Sequence, residues 1–354
     1  MSISQLDIHT FRNIATLRLY PHARWNIIFG ENGSGKTSLL EALSMISTGR
    51  SFRTRDIHAL VTYGEEALML FARTFADQTI SVKKSKADMQ VWIDQKPCSK
   101  RSELAQLLPC QLFYQDIFSI IDAGPSIRRT VLDWGLFHVK HEEVLLWREY
   151  ARVLKQRNSL LRQHAPRSHF KPWDVLLEEL SEALHQQRQA FCLEWFDIFG
   201  VTLSHLTTQS CVMTYEKGWD KKNTGKRLLD ILEEQWAMDS AQQYTHSGAH
   251  QADLILSTST LKVKQSLSRG QQKMILLALK LSQAQLVSKK CIYLFDDIFS
   301  ELDFEHSQRL LSYMDALSGQ FFFTCTQPDV FYKYLNSKQA CFFSMKCGQL
   351  VQES

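Results

Sequence analysis

The stretch Gly30-Glu31-Asn32-Gly33-Ser34-Gly35-Lys36-Thr37 has the spacing G-x-x-x-x-G-K-[ST] of a phosphate-binding loop. Glycines at these positions let the backbone close around phosphates with its N–H groups turned inward. Lys36 is long enough to reach β- and γ-phosphates, and the Thr37 hydroxyl suits Mg²⁺. A helix beginning here offers its unpaired N–H groups and its dipole to the same anion. A second cluster follows much later. Cys291-Ile292-Tyr293-Leu294-Phe295 is an apolar run ending in Asp296 and Asp297. An acid at the end of a buried strand is costly unless it faces a cation. Asp296 is therefore expected to hold Mg²⁺ through water beside Thr37, and Asp297 to polarise an attacking water. A third cluster is Ser266-Leu267-Ser268-Arg269-Gly270-Gln271-Gln272, ahead of a long apolar helix. Ser268 stands where an N-cap belongs, and Gly270 in the first turn allows a phosphate or another backbone to approach. On residue types alone this start is equally a cap and nothing more.

The flanks fit the first cluster. Trp25 to Phe29 reads as a buried strand, and Leu39, Leu40, Leu43 and Ile46 recur at helical spacing. Residues 3–9 and 16–20 read as two strands, with Phe11-Arg12-Asn13 at their connection. Arg12 and Asn13 are either nucleotide contacts or a solvated hairpin end. Arg50, Arg53 and Arg55 form a phosphate-contacting or merely exposed loop. Residues 67–94 alternate as an antiparallel meander. Gln115 follows the short strand Leu112-Phe113-Tyr114 and could touch Mg²⁺ or water, a weak signal by itself. Ser126 is expected to cap the next helix. Arg128 and Arg129 oppose that helix's dipole, so they should serve a partner or an acid such as Asp133.

From about 127 to 199 the composition is helical, with glycine absent between Gly135 and Gly200. Pro166 to Pro172 is the natural hairpin break, giving an antiparallel arm of about 35 residues per limb. Its first limb carries Arg148, Arg152, Lys155, Arg157, Arg162, Arg167 and Lys171, with Glu149 the nearby acid. Such a run is either a solvated face or a surface for phosphate backbones. Thr214 to Asp220 reads as a strand before a helix near 224–238. His246 and His250 fall in a stretch that is a structural loop or a site.

At 354 residues the chain suits one large or two ordinary domains. With 44% hydrophobic and 22% charged residues it has ordinary soluble composition. No apolar run approaches the ~18 residues that cross a bilayer, and no secretory leader is evident at the start. The eight cysteines are scattered without metal-ligand spacing, as in a reduced cytosolic protein. A net charge of +4 is too small to argue for a polyanionic partner, so local clusters must do so.

In this order, a phosphate loop, an S-x-G-Q helix start and a strand ending in two acids are the parts of an ABC-type ATPase head. The resemblance goes further through Phe11-Arg12-Asn13, GENGSGKTSLLEA at 30–42, GPSIRRTVLDW at 124–134, Leu154 to Asn158, GAHQADL at 248–254, LSRGQQK at 267–273 and DDIFSELD at 296–303. With these the chain resembles the RecF family of bacterial recombination and replication-repair proteins over nearly its whole length.

The resemblance implies an α/β fold: an ABC-type ATPase head, with a mixed sheet around the phosphate loop and an antiparallel β subdomain. The head spans 1–125 and 240–354 (meander about 60–97), and a mainly helical arm is inserted at 126–239. It implies a cytoplasmic, slow, DNA-stimulated ATPase with ATP and Mg²⁺ as ligands and an ATP-dependent homodimer. It implies partners in RecR, RecO and single-stranded or gapped duplex DNA, and roles in recombinase loading and the SOS response. By the same resemblance Asn32, Gly33, Gly35, Lys36, Thr37 and Ser38 grip the phosphates, in a nucleotide site that also takes in Arg12, Asn13, Gly30, Glu31, Ser34 and Gln115. Ser268, Arg269, Gly270 and Gln271 complete the site of the opposite subunit. Asp303 sits at the dimer seam and Thr326 near the γ-phosphate. Lys36, Asp296 and Asp297 are the catalytic candidates. Asp297 is one methylene shorter than the Glu of transporter heads, which argues for slow turnover. The alternatives are the ATPase subunit of a membrane transporter and a structural-maintenance-type head.

Overall fold

The computed structural model describes residues 2–140, 144–258, 261–335 and 340–353. The chain opens on β1 (Ile3–Phe11) and β2 (Ile14–Leu19), antiparallel and joined by a tight turn at Arg12-Asn13. β3 (Trp25–Phe29) is a continuous apolar run, the pattern of a strand covered on both faces. It feeds the phosphate loop and the helix Lys36–Thr48, which Gly49 ends in the left-handed region at φ 66. β4 (Ala67–Thr74), β5 (Thr79–Ser85), β6 (Met89–Ile93) and the short β7 (Lys96–Pro97) follow as a meander, then β8 (Cys110–Phe113). The middle of the chain is helical, at Pro125–Val139, Val144–Arg162, Lys171–Leu206 and Arg269–Gln285, with β9 (Val212–Glu216) and β10 (Asp253–Ser257) between the last two. β11 (Cys291–Asp296), the helix Phe304–Ala316, β12 (Gly319–Cys325) and the hairpin β13 (Ala340–Lys346) and β14 (Gln349–Glu353) complete it.

Packing divides the chain into two units, Met1–Ile117 with Val287–Ser354, and Phe118–Leu286. The sequence predicts the arm over 126–239; the second unit begins earlier and keeps the Ser268 helix.

Among the described residues the first unit holds two six-stranded sheets. One, ordered β2-β1-β4-β5-β6-β7, is antiparallel throughout, so the predicted meander also takes in the first two strands. The other is ordered β14-β13-β3-β12-β11-β8, parallel except for β14. Leu39, Leu43 and Ile46 fill the space between them, in one core with Leu6 and Leu70 of the first sheet and Ile28, Leu294 and Phe322 of the second. On the parallel sheet's other face the rings stack across strands. Trp25 and Phe321 lie 4.9 Å apart, Phe321 and Tyr293 4.7 Å, Phe295 and Phe323 5.0 Å, and Phe113 and Phe295 4.3 Å. Offset aromatic stacking adds to the burial of such large rings.

In the second unit Val144–Arg162 packs on Lys171–Leu206; Pro166 lies in the break between them, while Pro172 stands in the first turn of the second helix and not in the break. The first limb is thus shorter than the 35 residues expected. Two arginines are wholly buried inside the unit. Arg157 donates to Asp174 and Asp239 at 2.7 Å each and to the Thr245 hydroxyl at 2.8 Å. Arg188 donates to the Ala249 carbonyl at 2.7 Å and to Asp133 at 3.0 Å, with its guanidinium 4.5 Å from the Trp147 ring centre. Arg157 therefore belongs to the core, not to the basic surface. Three further expectations need correction. Gly124, with Pro125 behind it, takes the cap position predicted for Ser126. Arg128 serves an acid, as expected, but the acid is Asp253, in a fork at 2.8 and 3.0 Å, and not the example Asp133. The helix expected near 224–238 is two short helices, Leu228–Glu234 and Trp236–Gln242.

Candidate functional site

Parallel pairing in the first unit brings the carboxyl ends of β3, β12, β11 and β8 side by side, the place where open α/β sheets bind ligands. A cavity of about 590 Å³ lies there. The phosphate loop forms one wall through Asn32, Gly33, Gly35, Lys36, Thr37 and Ser38. Gly33 at φ 80 and Gly35 at φ 113 hold backbone shapes that a side chain disfavours. Lys36 is 8% exposed, and its ammonium donates to the Gly30 and Glu31 carbonyls at 2.7 and 2.9 Å. Burial pushes its pKa down, while the Asp297 and Asp296 carboxylates pull the other way. Two of its three donors are thus taken by carbonyls, leaving a buried cation in a cavity with anion-binding geometry.

The acids form the opposite wall. The Thr37 hydroxyl lies 3.0 Å from each Asp296 oxygen, and the Thr324 hydroxyl donates to Asp296 Oδ1 at 2.7 Å. Asp297 adopts left-handed backbone (φ 50), and its N–H donates to the Thr324 hydroxyl at 3.0 Å. A hydroxyl and a carboxylate converging on one cavity are hard oxygen donors of the kind Mg²⁺ takes, so Thr37 and Asp296 fit that ion.

Arg12 and Arg53 also line the cavity. The Arg12 guanidinium forks onto Glu41, whose carboxylate is fully buried, at 2.8 Å on both arms. Asn13 accepts from the Ser38 hydroxyl at 3.0 Å and donates to the Gly33 carbonyl at 3.3 Å, tying the first hairpin to the loop. Ser34 is buried in the loop, and Glu31 is exposed, serving Lys36 through its backbone.

Other expected residues lie elsewhere. Gln115 is exposed in a 3₁₀ turn after β8 and does not line the cavity. Asp303 caps the helix Phe304–Ala316 through the His306 N–H at 2.8 Å and is exposed. Thr326 is exposed beyond β12, and the residue that reaches the acids is Thr324, which the sequence reading misses. Cross-strand pairing would have found it, since Thr324 is the partner of Asp296 in the β11–β12 ladder. Ser268, Arg269, Gly270 and Gln271 belong to the second unit. There Ser268 and Gln271 form a reciprocal capping box, and Arg269 pairs with Asp122 at 2.8 Å. Gly270 has open space where a side chain would sit.

The family model described as RecF/RecN/SMC N terminal domain matches residues 2–346. The chain is 35% identical over 364 residues to the DNA replication and repair protein RecF of Stutzerimonas stutzeri (strain A1501), covering 99% of this chain and 98% of the relative. It is 35% identical over 361 residues to the protein of the same name from Shewanella amazonensis, covering 99% of each. The chain belongs to the RecF family. A solved structure of the recombination mediator protein RecF with ATP, from the RecFOR pathway, superposes with a TM-score of 0.86 at 22% identity. That match covers 100% of this chain and 98% of the other. An Smc head bound to the C-winged helix domain of ScpA gives 0.63 at 16% identity, with 100% and 98% covered. These likenesses carry the fold that RecF-family and Smc heads share, a mixed α/β ATPase head, as the motifs imply.

Proposed function

We infer that this chain is an ATP-dependent DNA-binding protein of DNA replication and recombinational repair. The observation that carries the reading is the Lys36, Thr37, Asp296 and Thr324 constellation at the carboxyl edge of a parallel sheet, in a RecF-family chain. The loop N–H groups and Lys36 bind the β- and γ-phosphates of ATP, with Asn32, Gly33, Gly35 and Ser38 shaping the cradle. Thr37 and Asp296 hold Mg²⁺, which neutralises phosphate charge when bound. Asp297 orients and deprotonates the attacking water, slowly for want of a methylene's reach. Ser268, Arg269, Gly270 and Gln271 of a second copy close over the γ-phosphate, with Asp303 near the seam, so ATP acts as a dimerising switch. Roles for Gln115 and Thr326 would require them to move in on nucleotide binding.

DNA is read through its phosphates. Arg148, Arg152, Lys155 and Arg162 are exposed, fall on one face of their helix, and span about 21 Å along it. A one-sided cationic stripe fits a phosphate backbone. The finer roles are retention at single-strand gaps, work with RecR and RecO, and support of recombinase loading and the SOS response. A transporter subunit is disfavoured by this arm. None of the described helices is long and apolar enough to cross a membrane.

The test is retention of the chain on gapped duplex DNA, with and without ATP, at several salt concentrations. Wild type should bind more tightly with ATP, and Lys36→Met should lose both the ATP effect and ATP-induced dimerisation. ATP-indifferent binding, or a monomer at all ATP concentrations, would overturn the reading.

A further inference from the structure

The hairpin β13–β14 lies against the phosphate loop in a way that neither the motif nor the cavity lining explains. β13 pairs in parallel with β3, with Ser344 opposite Phe29, so the hairpin's register is set by the strand that feeds the loop. Three contacts follow. The Gly348 N–H at the hairpin turn donates to the Ser34 carbonyl at 2.8 Å. The Met345 carbonyl sits 2.2 Å from where a Cβ on Gly30 would lie. The Met345 methyl sits 2.7 Å from where a Cβ on Gly35 would lie. Gly348 is itself pinned: at φ +77 it packs so closely that an added Cβ would meet the Asn13 carbonyl at 2.3 Å. Asn13 in turn bonds Gly33 and Ser38.

We propose that Gly348 and Met345 are positioning residues for nucleotide binding, holding the phosphate loop in its anion-binding shape from behind. Neither lines the cavity, so both act through Ser34, Gly30, Gly35 and Asn13. A loop whose N–H groups must converge on phosphate gains affinity from being held in that shape beforehand. By linkage, if a docked hairpin favours nucleotide, nucleotide must favour a docked hairpin. The proposal rests on the reading that the cavity takes a nucleoside triphosphate.

The experiment compares Gly348→Ala with Gly64→Ala in the full chain. Gly64 also has positive φ (+90) but nothing within 4 Å of its added Cβ, so it carries the backbone strain without the contact. Mg-ATP titration of wild type comes first; no binding there sinks the nucleotide reading itself. If wild type binds, Gly348→Ala should raise the dissociation constant by about tenfold or more, and Gly64→Ala should leave it unchanged. Met345→Leu should keep affinity near wild type and Met345→Ala should lose part of it, at equal helical and strand content by circular dichroism. In wild type, ATP should slow hydrogen exchange at the Gly348 amide. Equal ATP affinity in the two glycine variants, or Gly348 exchange indifferent to ATP, overturns the proposal while leaving the nucleotide reading intact.

Discussion

Thr37 and Asp296, from opposite ends of the chain, meet with the threonine hydroxyl 3.0 Å from both carboxylate oxygens. On the proposed reading this pair becomes the Mg²⁺ site once nucleotide enters. Asp296→Asn should lower the Mg²⁺-dependent hydrolysis rate at least about a hundredfold, since one charged ligand to the transferred group's counterion is lost. ATPase assays across a Mg²⁺ titration check this, and the variant should not be rescued by excess metal.

Thr324 links the two acids through its hydroxyl and stands where the sequence points to Thr326 instead. Thr324→Val keeps the shape and removes the hydroxyl. Hydrolysis should fall clearly, while Thr326→Val, at an exposed position, should leave ATP affinity nearly unchanged. Parallel measurements of ATP affinity and turnover for the two variants separate these outcomes.

Arg157 predicts stability and not DNA affinity. Its guanidinium is fully buried between Asp174 and Asp239, and Asp239 is itself inaccessible. Arg157→Ala strands a buried carboxylate and should cost about 3–5 kcal/mol in urea unfolding. Arg152→Ala on the exposed stripe should change stability by less than about 0.5 kcal/mol. Arg152→Ala with Lys155→Ala should instead reduce the slope of log affinity for DNA against log salt by about 2.

His250 makes the second unit sensitive to acid. Its Nε2–H donates to the Thr245 carbonyl at 2.8 Å and its Nδ1 accepts from the Tyr150 hydroxyl at 2.7 Å, a neutral ring between two neutral partners. Burial, helped by Arg129 and Arg157 and opposed by the Thr245 bond and Asp239, takes its pKa from 6.5 down to about 4. The folded state thus resists a proton that the unfolded chain accepts. The stabilising effect is complete above pH 6.5 and is lost as pH falls towards 4, about 3 kcal/mol in all. Urea unfolding at pH 7 and pH 4.5 should show this loss in wild type, and His250→Gln should show a shallower one.

The strand-loop-helix around Lys36 and the strand ending in Asp296 were legible because each is a local pattern of burial and turn residues. Arg157 was legible in principle, for Tyr150, Val153, Arg157 and Leu161 share one helical stripe and all are buried. The charged residues between them mask that periodicity. Other features depend on pairings between distant segments. β1 joins the meander through partners such as Ile8 and Leu70, and Arg128 finds Asp253 across more than a hundred residues. Thr324 becomes visible as a site residue once the β11–β12 register is known. No window of sequence contains both members of such a pair.

The strand that feeds the phosphate loop has neighbours made hundreds of residues later: Phe29 lies beside Cys325 and Ser344, and Ser34 waits for Gly348. On the ribosome, the helical unit is therefore finished while the earlier segment still lacks its flanking strands. Pairings that span so much chain form slowly. On the proposed reading, a nascent chain therefore lacks a working triphosphate grip until β12 and the β13–β14 hairpin have been made and paired.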